Sequence, residues 1–160
     1  MTSADAIHDA LAAWQPYGPG RHSWTHALPA AGWAVHLQAE KADAVGSVVW
    51  ELTMTRTGPA PSGLTTRAWA DRTAGRVTGL LEPLKVVEID DAAGEAILRS
   101  TAPSQKGPSV GYYEVALSGT SRATVRRYQA DRSAGTPRAQ VGFALTHEVM
   151  AKLVEDVTRD

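Results

Sequence analysis

The chain has 160 residues, 43% of them hydrophobic and 21% charged, a formal net charge of −1 and no cysteine. That length suits one domain with a real core, the charge gives no global pull towards nucleic acid or membrane, and the missing thiols exclude disulfides and thiolate metal sites. No stretch is long and apolar enough to span a bilayer, and Met1-Thr2-Ser3-Ala4-Asp5 lacks the basic start of a signal peptide, so a cytoplasmic protein without cofactor is expected.

Ser3 reads as the cap of a short N-terminal helix in which Ile7, Ala10, Leu11 and Trp14 recur at helical spacing. Gln15 to Gly20 ends it, because proline and glycine cannot continue a helix. Arg21 to Ala31 reads as an irregular connection with Trp24 buried. Trp33 to Glu40 alternates as a strand, with Trp33, Val35, Leu37 and Ala39 towards the core. Its partner follows a turn, and the alternation there assigns Val48, Trp50, Leu52 and Met54 to the core. Gly58 to Gly63 is a loop. Thr65 to Leu81 reads as a helix with Trp69, Thr73, Val77, Leu80 and Leu81 on one stripe, weakened by about 1 kcal/mol at each of Gly75 and Gly79. Lys85 to Asp90 and Glu95 to Thr101 form a hairpin, and Ala102 to Ser109 is a loop.

Gly111 to Tyr128 is the most informative stretch, two strands around Ser118-Gly119-Thr120-Ser121. The parity of the loop decides which side chains share a face. An odd loop puts Tyr113, Val115, Leu117, Ala123 and Val125 on one apolar face, and Tyr112, Glu114, Arg122, Thr124 and Arg126 on the other. Arg127 then falls on the apolar side and needs water or a partner. A polar loop follows over Ala130 to Pro137, then a short strand over Ala139 to Phe143. Thr146 caps a last helix with the stripe Val149, Met150, Leu153, Val154 and Val157, and with Lys152, Glu155 and Asp156 outside. Trp33 to Leu81 and Gly111 to Val157 share the order strand, strand, loop, helix, which suggests an internal repeat over 33–81 and 111–157.

Three groups of residues have chemical potential. His22, His26 and His36 are of the type that ligates zinc, and a metal-dependent enzyme would need them to converge. Arg122 and Arg126, beside Tyr112 and Tyr128, form a basic sheet face able to bind phosphate, nucleic acid or an acidic partner through forked guanidinium bonds and stacking. The segment Arg99 to Arg138 carries +5, against −6 for the remainder. Five tryptophans against one phenylalanine suit core filling or a protein-binding groove. Nucleophile-elbow and phosphate-loop motifs do not occur, which favours a non-catalytic protein.

The runs Val77-Thr78-Gly79-Leu80-Leu81-Glu82-Pro83-Leu84-Lys85-Val86-Val87-Glu88-Ile89-Asp90 and Leu145-Thr146-His147-Glu148-Val149-Met150-Ala151-Lys152-Leu153-Val154 resemble parts of uncharacterised proteins of GC-rich bacteria, planctomycetes especially. That resemblance implies no activity. The element order is similar to that of secretion-chaperone-like α+β domains, which implies a dimer that binds other polypeptides.

The expected architecture is therefore a single α+β domain over 1–160. A curved, mostly antiparallel sheet of six or seven strands carries two long helices on one face, with the short N-terminal helix beside them. The expected role is a non-catalytic protein-binding or adaptor module whose partner is another protein or a second copy of itself.

Overall fold

The computed structural model describes residues 1–133 and 135–160, so the polar loop expected over Ala130 to Pro137 lies partly outside the described residues. The chain is α+β, with helices α1 (Ser3–Ala13), α2 (Thr66–Arg76) and α3 (His147–Thr158). Its strands are β1 (His22–Leu28), β2 (Trp33–Ala42), β3 (Gly46–Arg56), β4 (Leu84–Asp90), β5 (Glu95–Ser100), β6 (Ser104–Lys106), β7 (Ser109–Ser118), β8 (Arg122–Asp131), β9 (Ala139–Val141) and β10 (Phe143–Thr146). They form one antiparallel sheet of ten strands in the order β1-β2-β3-β8-β7-β5-β4, with β10 on β3, β6 on β7 and β9 on β8.

Among the described residues ten strands replace the six or seven expected. One addition is β1, whose His-Ser-Trp-Thr-His run alternates but lacks the aliphatic residues that mark a strand. Another is β6, three exposed residues with no pattern to read. The third comes from the single strand expected over Ala139 to Phe143, which is two. The central strands β3 and β8 pair only over Leu52–Thr55 and Arg122–Val125, then splay apart. Into that gap the returning chain wedges β9 against β8 and β10 against β3. Gly142 makes the crossing. A Cβ there would come within 2.9 Å of Val48 Cγ1 and 3.3 Å of the Trp50 indole nitrogen.

Among the described residues the helices are three of similar size, with 11, 11 and 12 residues, rather than two long and one short. Thr2, not Ser3, caps α1 through a capping box with Asp5. The second helix ends at Arg76, not Leu81, because Val77 is already extended and its N–H closes on the Thr73 carbonyl at 3.0 Å. Leu81 consequently lies 97% exposed, while Val77 and Leu80 reach the core from the connection that follows. The cap at Thr146 and the stripe Met150, Leu153, Val154 and Val157 are as expected, with Asp156 buried beside Lys152 instead of solvated.

All three helices contribute to one core on one face of the sheet. Ile7 and Leu11 of α1, Trp69 of α2 and Leu153 of α3 meet Trp33, Leu37, Leu52, Met54, Val115 and Val125 from the strands. The alternation of β2 holds from Trp33 to Glu40. In β3 it breaks, because the β2–β3 register shifts twice between Gln38 and Lys41. A bulge moves every side chain beyond it to the opposite face. Val49 therefore enters the core, and Val48 and Trp50 do not. Trp24 is half-buried, packed between Trp14 and the stacked ring of His26.

Candidate functional site

The β7–β8 hairpin has the odd loop. Ser118 pairs with Arg122, and Gly119, Thr120 and Ser121 make the turn. Tyr113, Val115, Leu117, Ala123 and Val125 are buried on the helix side. Arg127 is the one guanidinium of the pair on that side. It finds Glu82 at 3.0 Å and lies over the Tyr113 ring at 4.5 Å. Gly111 makes room for it, since a Cβ there would come within 2.8 Å of Arg127 Nη2.

Among the described residues no helix lies on the opposite face of the sheet. Its residues fall into rows running across the strands, because paired positions stand side by side. In the middle row Arg99 is opposite Glu114, and Glu114 is opposite Arg126. Glu51 comes next, followed by its partner Gln38. Charges thus alternate from β5 to β3. Arg99 Nε donates to Glu114 at 2.9 Å, and Arg126 reaches away from Glu114 to donate to Glu51 at 2.7 and 2.9 Å. Arg138, from the chain leading into β9, lies across the row and donates to Glu114 at 2.5 Å.

Glu114 is 7% exposed although it sits on the face without helices. Burial pushes its carboxyl up, but the hydrogen bonds and charges of Arg138 and Arg99 together outweigh this and hold it below the ordinary carboxylate range. Burial works against the Arg126 cation, and Glu51 more than offsets it, so that guanidinium is held above its ordinary value.

Beside the charged row runs an aromatic one. Tyr112 and Tyr128 are paired across the strands with ring centroids 6.1 Å apart. Arg138 stacks over Tyr128 at 3.7 Å and donates to the Tyr112 hydroxyl at 3.2 Å. Farther along, Arg21 stacks over Trp50 at 3.8 Å, and Gln140 donates to the Trp50 carbonyl at 2.7 Å. On the other side of the charged row lie Thr53, Thr124 and His36. Together with Glu51, Thr55, Arg122 and Arg126 they line an open polar basin of about 310 Å³.

The structure therefore brings Tyr112, Tyr128, Arg122 and Arg126 onto one face, but spends Arg126 on Glu51. Arg122 is exposed and makes no ion pair among the described residues. Arg99, Arg138, Trp50 and Gln140 join the face without having been assigned to it. Arg99 follows from extending the parity of β5, and Trp50 is hidden from the sequence by the bulge.

The three candidate metal ligands do not converge. His22 and His26 stand opposite Ala39 and Val35 on the helix side of β1, whereas His36 stands opposite Thr25 on the other side. His22 pairs with the Gly18 carbonyl at 2.9 Å, and His36 Nδ1 with Thr25 Oγ1 at 3.1 Å. Among the described residues no three His, Asp or Glu side chains are grouped to hold a metal ion. No described helix is long and apolar enough to cross a membrane. Set against protein-family models, curated proteins and solved structures, the chain matches none of them.

Proposed function

We propose that the chain is a non-catalytic protein-binding or adaptor module whose partner docks on the sheet face opposite the helices. The observation that carries this is the row of aromatic rings, Trp50, Tyr112 and Tyr128, each with an arginine against it. Tryptophan, tyrosine and arginine are the residues that dominate interface energetics. Here ion pairs to Glu114 hold Arg99 and Arg138 in place before any partner arrives, which lowers the entropy lost on binding. Five guanidinium groups, of Arg21, Arg99, Arg122, Arg126 and Arg138, stand on this face with the carboxylates of Glu51 and Glu114, which suits a partner segment of acidic character.

A photocrosslinking residue placed at Thr124 is expected to capture a partner in the native host. The same residue at Val87, on β4, is expected not to. Capture should fall roughly tenfold in the Tyr128→Ala/Arg138→Ala double variant, since hot-spot truncations cost 1–2 kcal/mol or more. Undiminished capture by that variant ends this reading.

One observation favours a second reading, an anion or nucleic-acid site at Arg122 and Arg126. Among the described residues Arg122 makes no ion pair, and it opens on the polar basin beside His36 and Thr124. This reading expects retention on heparin or a single-stranded oligonucleotide that weakens steeply with salt and is lost in Arg122→Glu/Arg126→Glu. Equal retention of the double variant rules it out.

A further inference from the structure

The two edges of the sheet are built differently. At one end β4 carries Lys85, Glu88 and Asp90, and its register with β5 shifts between Val86 and Glu88. Charges and bulges of this kind block pairing with a foreign strand. At the other end β1 has none of these devices. Its seven residues pair with β2 without a register shift, and it contains no proline, lysine, arginine or carboxylate. Among the described residues the only backbone hydrogen bonds to β1 besides its pairing with β2 come from the β1–β2 turn, where Ala31 and Gly32 donate to the Leu28 carbonyl. An edge of this length, regular and uncharged, is a template for another strand.

The sequence of β1 is suited to pairing with itself. An antiparallel pairing about a two-fold axis at Thr25 sets Thr25 opposite the partner's Thr25, Trp24 opposite the partner's His26 and His22 opposite the partner's Leu28. On the outer side Ser23 faces the partner's Ala27, so only small side chains meet there. On the helix side the indole of each copy meets an imidazole of the other. That repeats across the axis the contact made within one chain, where Trp24 and His26 stack at 5.5 Å and 4°. Both rings are half-buried in one copy and have surface left to cover. Threonine pairs and aromatic pairs are favourable cross-strand neighbours, and no like charges face each other.

A second feature fits the same axis. Beside the C-terminal half of β1 is a mostly apolar hollow of about 220 Å³ between the strand and the start of α1, bounded by Met1, Ala6, His26, Leu28 and Pro29. The two-fold brings to it the partner's loop ahead of β1. That loop carries Tyr17, which is 98% exposed in one copy.

We infer that the chain forms a two-fold homodimer through antiparallel β1–β1 pairing centred on Thr25, joining two sheets into one continuous sheet. This goes beyond the partner-binding reading and does not depend on it. The pairing leaves the outer face of β3, β8 and β7 open in each copy, so the Tyr128→Ala/Arg138→Ala variant remains dimeric.

The test uses the full chain. Light scattering at micromolar concentration should give twice the 17.0 kDa chain mass. Directly opposed antiparallel residues have Cα atoms about 4.5–5.5 Å apart, within the range of about 4.4–6.8 Å that a disulfide spans. Because the chain has no cysteine, Thr25→Cys should crosslink on mild oxidation while Ala92→Cys, in the exposed β4–β5 turn, should not. Thr25→Lys should weaken the dimer roughly tenfold by opposing two ammonium groups, and mixing it with Thr25→Glu should restore a heterodimer. Thr25 is exposed, so these variants keep the fold of the single copy. A monomeric wild-type chain, a dimer unaffected by Thr25→Lys, or equal crosslinking at Ala92 overturns the inference.

Discussion

Trp69→Ala is expected to lower the stability of the chain by about 3–5 kcal/mol, the usual cost of deleting a buried aromatic side chain. For a chain of this size that is a fall of roughly 10–15 °C in Tm. Trp69 is 1% exposed and stands where three elements meet. Its ring lies 5.9 Å from that of Trp33 on β2, and its indole N–H donates to the Val157 carbonyl near the end of α3 at 3.3 Å. The indole is therefore both core volume and the polar link between α2 and α3. Deletion leaves a cavity under the sheet and an unpaired carbonyl at a helix end, and both terms destabilise. Trp69→Phe keeps most of the volume and loses the hydrogen bond, so it should cost about 1–2 kcal/mol. Thermal or urea unfolding of the two variants separates these contributions. A loss below about 1 kcal/mol in Trp69→Ala would mean that the indole is not a keystone of the core.

Much of this arrangement is legible in the residues. Wherever a strand is regular, alternation identifies its buried face, as in β2 and in the β7–β8 hairpin, where the need for one clean apolar face fixes the loop as odd. The cap at Thr146 and the stripe of α3 are local signals and hold. What is hidden is non-local. The bulge opposite Gln38 to Lys41 turns Trp50 from a core residue into a surface one, and nothing in β3 itself announces it. The strands β6, β9 and β10 have three or four residues each and are ordered by their neighbours rather than by their own pattern. The basic segment Arg99 to Arg138 looks like a cationic surface because its counter-charge Glu51 lies far away in sequence. Pairing β3 beside β8 brings that carboxylate to Arg126, and the apparent basic strip becomes an alternating row.

The face of the sheet depends most on Glu114, and Glu114→Ala is expected to cost about 2–3 kcal/mol. Deleting one partner of a fully buried ion pair costs more, about 3–5 kcal/mol. Here the carboxylate is buried but Arg99 and Arg138 are 41% and 36% exposed, so each freed guanidinium can turn to water. The sign of the pH dependence follows from the depressed carboxyl. In the unfolded chain glutamate titrates at about 4.3, and in the folded chain the arginines hold it lower. The stabilisation is therefore complete above the unfolded value and is lost as pH falls through the folded one. Wild type should exceed Glu114→Gln in Tm at neutral pH, and the gap should narrow below about pH 5. A gap independent of pH would mean that the charge of Glu114 contributes nothing. The variant has a second readout that Trp69→Ala lacks. Glu114 holds Arg138 against Tyr128 and Tyr112, so Glu114→Gln should reduce partner capture at temperatures where the chain is still fully folded. Trp69→Phe, whose side chain lies on the far side of the sheet, should leave capture unchanged while it is folded. If both variants lose capture equally, the effect is one of stability, and the aromatic row is not the docking surface.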